Sequence, residues 1–358
     1  LNRELPYYIG KGDHRRSHEL AGAAQAWAIA VGTVVGLALL GVAGWQLALG
    51  ELWNAAGWAT NAVMAFILFY NTFYLQMTYR TAHDFAKLAI VTVAENAISL
   101  VLVLLVALMN FYGMCLRALL TGAISTAILY YWRPVRVGPM WNVRHLKHLL
   151  IIGAPIFVVG QLYSWWSVLN STLVFHYMGT EGMGLYSMVI MATTTLELLP
   201  LSLAQVLYPR MAEQFGRTGS IHDLVRIARK PIIILAVGQI PLLALACLFV
   251  KPVATVVVPA YVDAVPAIQW SMLLPFVSSF NSINHVFNVM RRQDLYIVAL
   301  VLGMASYVGS LIWLIRDNVS LIAFPQAMII GRVVYMLVCY VLVSYLRRKE
   351  QISTATEG

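Results

Sequence analysis

The sequence predicts an all-α protein, a polytopic bundle of transmembrane helices. Three observations carry that prediction. Hydrophobic residues make up 60% of the 358 residues, and mean hydropathy is +0.76; a soluble domain is about 45–50% apolar. The apolar residues fall in continuous runs of about 20, the length that spans a bilayer core, and not in the roughly ten-residue alternations of a membrane β-barrel. Third, 20 of the 24 Lys and Arg fall in alternate gaps between those runs, the positive-inside pattern of helical membrane proteins.

About ten spans follow, at 22–48, 57–78, 88–109, 113–132, 149–174, 183–207, 231–250, 264–289, 295–315 and 319–346. The basic gaps hold Arg3 to Arg16, Arg80 and Lys87, Arg133 to Lys147, Arg210 to Lys230, Arg291 and Arg292, and Arg347 to Lys349. These gaps are cytoplasmic, and so are both ends of the chain. The other gaps are short: Glu51 to Ala56, Asn110 to Tyr112, His176 to Gly182, Lys251 to Asp263 and Arg316 to Asn318. No domain can fold in them, so any activity lies within the bundle. The net charge of +9 reports topology and contact with membrane lipid; no nucleic-acid partner is expected.

The organisation reads as an N-terminal lobe at 1–132, a cytoplasmic linker at 133–148, a C-terminal lobe of six spans at 149–348, and a tail at 349–358. The linker carries prolines, a glycine and a short amphipathic surface helix, Val143 to Leu150. A weak repeat relates Arg3, Gly10, Lys11 and Gly12 to Arg210, Gly216, Arg217 and Gly219. Each copy runs from an Arg through an aromatic to a Gly-basic turn closed by a second Gly. The alternative is that two basic loops share these residues by chance. If the lobes are equivalent, two N-terminal spans precede Leu1, which makes this chain a fragment of a twelve-helix protein.

Polar residues on spanning helices point inward. One stripe holds Gln161, Ser164, Ser167, Asn170 and Ser171; a second holds Ser278, Asn281, Asn284, His285 and Asn288; a third holds Thr193, Thr194, Glu197 and Gln205, with a kink at Pro200. They line a hydrated cavity or act as interhelical hydrogen-bond glue, worth roughly 0.6 kcal/mol each. Four charges lie within spans: Glu95, Arg117, Glu197 and Arg332. Arg332, near mid-span, is the first candidate for an anionic substrate. Arg117 either joins it or snorkels to the outer interface. Glu95 and Glu197 are candidates for coupling an ion or proton; Glu197 is equally a candidate structural partner of Arg332 or a Gln. His285 is a cavity residue or a packing one.

No phosphate-binding loop, zinc spacing, paired-Asp motif or nucleophile elbow is present, so neither an enzyme nor a cofactor or metal is expected. Cys115, Cys247 and Cys339 read as small buried hydrophobes.

Three segments resemble bacterial polysaccharide flippases of the multidrug/oligosaccharidyl-lipid/polysaccharide (MOP) exporter superfamily, which also holds the MATE drug transporters. They are Leu1 to Asp13, similar to the family's first long cytoplasmic loop; Gly184 to Gly219, with Tyr208, Pro209 and Arg210 at its junction; and Pro259 to Phe276. Gly153, Ala154 and Pro155 fit the start of the second lobe. The resemblance implies a two-lobed MATE-like fold of twelve or fourteen helices around a cavity. It implies export of an undecaprenyl-diphosphate-linked oligosaccharide (an O-antigen or exopolysaccharide unit) across the bacterial inner membrane, in concert with polysaccharide polymerase machinery. Arg332 and Arg117 match the cationic cavities of that family. The chain departs from it by lacking the first helical pair. Rival readings are a cation-coupled MATE antiporter, a lipid II flippase, and a polytopic polymerase or ligase, which needs a larger outer loop than any here.

Overall fold

The computed structural model describes residues 1–357, with side chains through residue 352. The described residues are mostly helical, without a strand. They divide into two compact units, Leu1–Ile151 and Ile152–Gly358.

Eight helices among the described residues are long and apolar enough to cross a membrane. Two of these helices double back on themselves, and the helix Phe85–Val101 leads into the first reversal, which together bring the crossings to the ten expected. The first reverses at Asn110, whose backbone leaves the helical region at φ 50°, ψ −122°. Arg117 there hydrogen-bonds Ser99 at 2.7 Å, although eighteen residues of straight helix would part them by about 27 Å. The second, Val143–Thr218, reverses at Gly179, with φ 67° and ψ −163°. Asn170 donates to the Tyr186 hydroxyl at 3.0 Å across that turn. Glycine is the residue that takes the left-handed conformation without penalty.

Helices outlast the apolar runs. The connection expected at 208–230 is nearly all helix: one helix ends at Thr218 and the next, Ile221–Val257, starts after Gly219 and Ser220. The linker helix expected at Val143 to Leu150 is the opening of the Val143–Thr218 helix, and the expected tail continues the Ala323–Glu357 helix. Charged residues end a hydropathy signal without breaking backbone hydrogen bonds, because Lys, Arg, Glu and Gln are good helix formers.

In the first unit, the span Leu52–Thr81 contains a π-helical segment, Leu68–Leu75. It turns Tyr70, Tyr74 and Leu75 into a small core with Tyr79 and Leu129. The Tyr79 hydroxyl donates to the Leu129 carbonyl at 2.8 Å.

In the second unit the core is larger and centres on Trp166, Phe287, Tyr307, Phe324 and Tyr335. Helices Gln293–Leu314 and Ala323–Glu357 touch backbone to backbone at Gly303 and Gly331. A Cβ on Gly331 would lie 2.9 Å from the Gly303 carbonyl oxygen and 2.7 Å from Tyr307 Cβ. Small residues permit such approach where lipid offers no hydrophobic drive between helices. Elsewhere the spans present apolar side chains outward, as a bilayer requires; Val237, Leu248 and Val256 are 59%, 68% and 82% exposed.

Candidate functional site

Each unit holds a polar cavity of its own. In the second unit a cavity of about 450 Å³ is lined by Tyr163, Glu197, Ser278, Asn281, Asn284 and His285, among others. The Pro259–Val289 span supplies most of the polar groups. It is broken into short pieces, with a 3-10 segment at Asn281–Asn284. A 3-10 turn has three residues, so Ser278, Asn281 and Asn284 come close to one line. The Asn284 amide anchors this segment by donating to Tyr296 at 2.8 Å and to Tyr335 at 2.9 Å. Ser278 donates to the Glu197 carboxylate at 3.0 Å.

Many remaining polar atoms have no protein partner. Both amide atoms of Asn281, both ring nitrogens of His285, and the carbonyl oxygens of Asn284 and Asn288 are buried and unbonded. The His285 ring stacks on Tyr208, with centroids 4.9 Å apart. Buried polar groups in native proteins nearly always have partners. Here six such atoms lie within eight residues of one span.

Arg332 lies behind this cavity's wall, not in its lining. It is buried, hydrogen-bonds the Tyr163 hydroxyl, and sits 4.5 Å from the Tyr163 ring centre and 5.0 Å from that of Trp166. It forms no ion pair with Glu197 among the described residues. The quadrupoles of two aromatic rings hold this cation where no carboxylate does.

The stripe on the 149–174 span divides. Gln161, Ser164 and Ser167 are exposed, whereas Asn170 is buried between the Tyr186 and Tyr307 hydroxyls, the latter donating to it at 2.9 Å. Each step of three residues falls 60° short of a full circle on a 100°-per-residue helix, so Asn170 has drifted to the face opposite Gln161.

In the first unit a cavity of about 360 Å³ brings together Asn71, Gln76, Glu95, Ser99, Arg117 and Thr121. Ser125 donates to Glu95 at 2.8 Å. Asn71 donates to Thr126 at 2.9 Å and to Ser125 at 3.4 Å, and accepts from Gln76 at 3.1 Å. Arg117 donates twice to Ser99. Glu95 and Arg117 form no ion pair among the described residues. Apart from these two charges, this cluster escapes a helical-wheel reading. Asn71 and Gln76 are five apart, which puts them on different faces of an α-helix; the π segment, with its i to i+5 bonds, brings them together.

The two loop motifs share a local form. Gly12 and Gly219, the closing glycines, have φ of 77° and 67°, and a new helix starts within two residues of each. Gly10 and Gly216 are helical or terminal helical residues. Arg3 is buried, pairs with Glu4 and lies over Tyr7; Lys11 caps the same ring at 5.0 Å. Arg210 is exposed.

Comparison with known proteins gives the fold and site a family. The family model described as "Polysaccharide biosynthesis protein" matches residues 23–266. The chain belongs to that family. No curated sequence matches it. This member of the polysaccharide biosynthesis family shares its fold with solved MATE transporters. An outward-facing multidrug resistance MATE transporter of the MOP superfamily superposes with a TM-score of 0.83 at 15% identity, over 97% of this chain and 82% of that one. A MATE structure in the straight conformation gives 0.82 at 15% identity, over 100% and 83%. A MOP-superfamily transporter from Pyrococcus furiosus gives 0.81 at 16% identity, over 97% and 82%. The fold is therefore that of a multi-pass membrane transporter.

Proposed function

We propose that this protein moves a lipid-linked oligosaccharide, of the undecaprenyl-diphosphate class, from the cytoplasmic to the outer leaflet of a bacterial inner membrane by alternating access. The observation that carries the proposal is the set of unbonded amide and imidazole atoms that Asn281, Asn284 and His285 bring to the second-unit cavity. Amides, hydroxyls and an imidazole offer both donors and acceptors, which is what a sugar's hydroxyl groups require and an organic cation does not. Membership in a polysaccharide biosynthesis family supports the same substrate class. Transport needs differential affinity between two states, and a MOP-type fold supplies two states with one site in turn facing each side. Polysaccharide polymerase machinery would receive the product.

A second reading, cation-coupled drug antiport, is favoured by one observation: Glu197 and Glu95 each face a cavity without an arginine partner. Proteoliposomes distinguish the two. With a fluorescent prenyl-diphosphate oligosaccharide in the membrane, the protein should render the glycan on one leaflet accessible to a lectin added on the other side. Transport of a cationic dye with no glycan movement would overturn the flippase reading in favour of the antiporter.

A further inference from the structure

Away from both polar cavities, the second unit carries a groove whose chemistry neither one explains. It has two adjoining chambers, of about 470 Å³ and about 370 Å³. Val225, Arg229, Ile233 and Arg347 border both. One wall is the Ile221–Val257 helix and the other is the Ala323–Glu357 helix.

The groove is cationic at one end. Arg226, Arg229, Lys230 and Arg347 line it, and none forms an ion pair among the described residues. Asp223, the acid in the first turn of the Ile221–Val257 helix, forms no ion pair among the described residues. Four cations around one depression repel each other, so an anion there lowers the energy of the folded chain itself.

Directly beyond the charges the groove is apolar. Ile232, Phe280, Ile283 and Val343 floor the second chamber. The same helix face continues outward as Ile233, Ile234, Val237 and Ile240, which are 45%, 61%, 59% and 52% exposed. From Arg229 to Ile240 is about 16 Å of helix, half of a hydrocarbon core roughly 30 Å thick. That is the depth of one leaflet. A soluble phosphate compound would use the cations and leave this stripe unexplained; a lipid uses both.

We propose that the groove binds an anionic phospholipid, its phosphate between Arg229 and Arg347 and an acyl chain along Ile233, Val237 and Ile240. The ligand is a bilayer component, and the site stands whether or not the protein moves glycans.

The test is retention of lipid by the full chain in detergent, read by native mass spectrometry. Phosphatidylglycerol should be retained in preference to phosphatidylcholine. The double variant Arg229→Gln/Arg347→Gln should lose about fivefold affinity per charge removed, while Lys251→Gln, outside the groove, should bind as wild type. One measurement needs no variant: raising salt from about 0.05 to about 0.5 M should release phosphatidylglycerol from the wild-type protein, since screening shortens the reach of the cations. Equal retention of phosphatidylcholine, an unaffected double variant, or salt-independent retention would each overturn the proposal. Displacement by glycerol phosphate as effective as by phosphatidylglycerol would overturn it too, reassigning the cations to a soluble anion.

Discussion

The polar cavities of the two units are made of similar residues and are wired oppositely. In the first unit, Asn71, Gln76, Ser125, Thr126 and Glu95 satisfy one another in a connected circuit, and only the Thr121 hydroxyl of its lining is buried without a partner. In the second, Asn281, His285 and Asn284 leave five side-chain atoms of the lining unbonded. A closed circuit resists rearrangement, since every displaced group loses a bond in a medium that offers no replacement. An open one costs the resting protein stability and gains it back from a bound polar molecule. Composition alone therefore does not separate structural polarity from binding polarity in a membrane; bond accounting does.

The comparison can be broken most directly at Asn281. Asn281→Leu should lower glycan transport by more than tenfold while leaving thermal stability in detergent unchanged or raised, because an unbonded buried amide costs about 1–3 kcal/mol. A variant that transports normally and melts earlier would place Asn281 in the structural class with Asn71. Next in size is the helix contact behind the second cavity. Gly331→Val should destabilise the protein by about 1–3 kcal/mol through overpacking against Tyr307 and Gly303, whereas Gly309→Val, where a Cβ would meet open space, should melt as wild type. The smallest effect sharpens the first unit. A double-mutant cycle of Ser125→Ala with Glu95→Gln should give a coupling of about 0.6 kcal/mol; additive losses would show that the circuit is not cooperative.

Much of this was legible in the chain. The continuous apolar runs foretold the crossings, and the expected turns at Asn110 to Tyr112 and His176 to Gly182 contain the residues where the backbone reverses. The Ser278 to Asn288 stripe was legible because its spacing of three and four survives the change from α to 3-10 geometry. Asn71 and Gln76 were hidden by a spacing that only a π segment makes adjacent. The aromatic pair around Arg332 was hidden for another reason. Tyr163 and Trp166 look like ordinary core residues, and a sequence does not say which ring faces a guanidinium. The arginines at 226 and 229 were read only as topology, since the apolar groove beneath them forms from three separate helices.

The π segment also sets where this protein can lose a residue. An i to i+5 turn accommodates one residue more than the α path between the same points. Removing one residue from Leu68–Leu75 would let the helix tighten to α geometry and keep both flanks in place. Removing one anywhere else in that span would swing the remainder by about 100° and move lipid-facing side chains into the core. The segment is the span's register slack, a single length of chain in which a one-residue deletion can be absorbed.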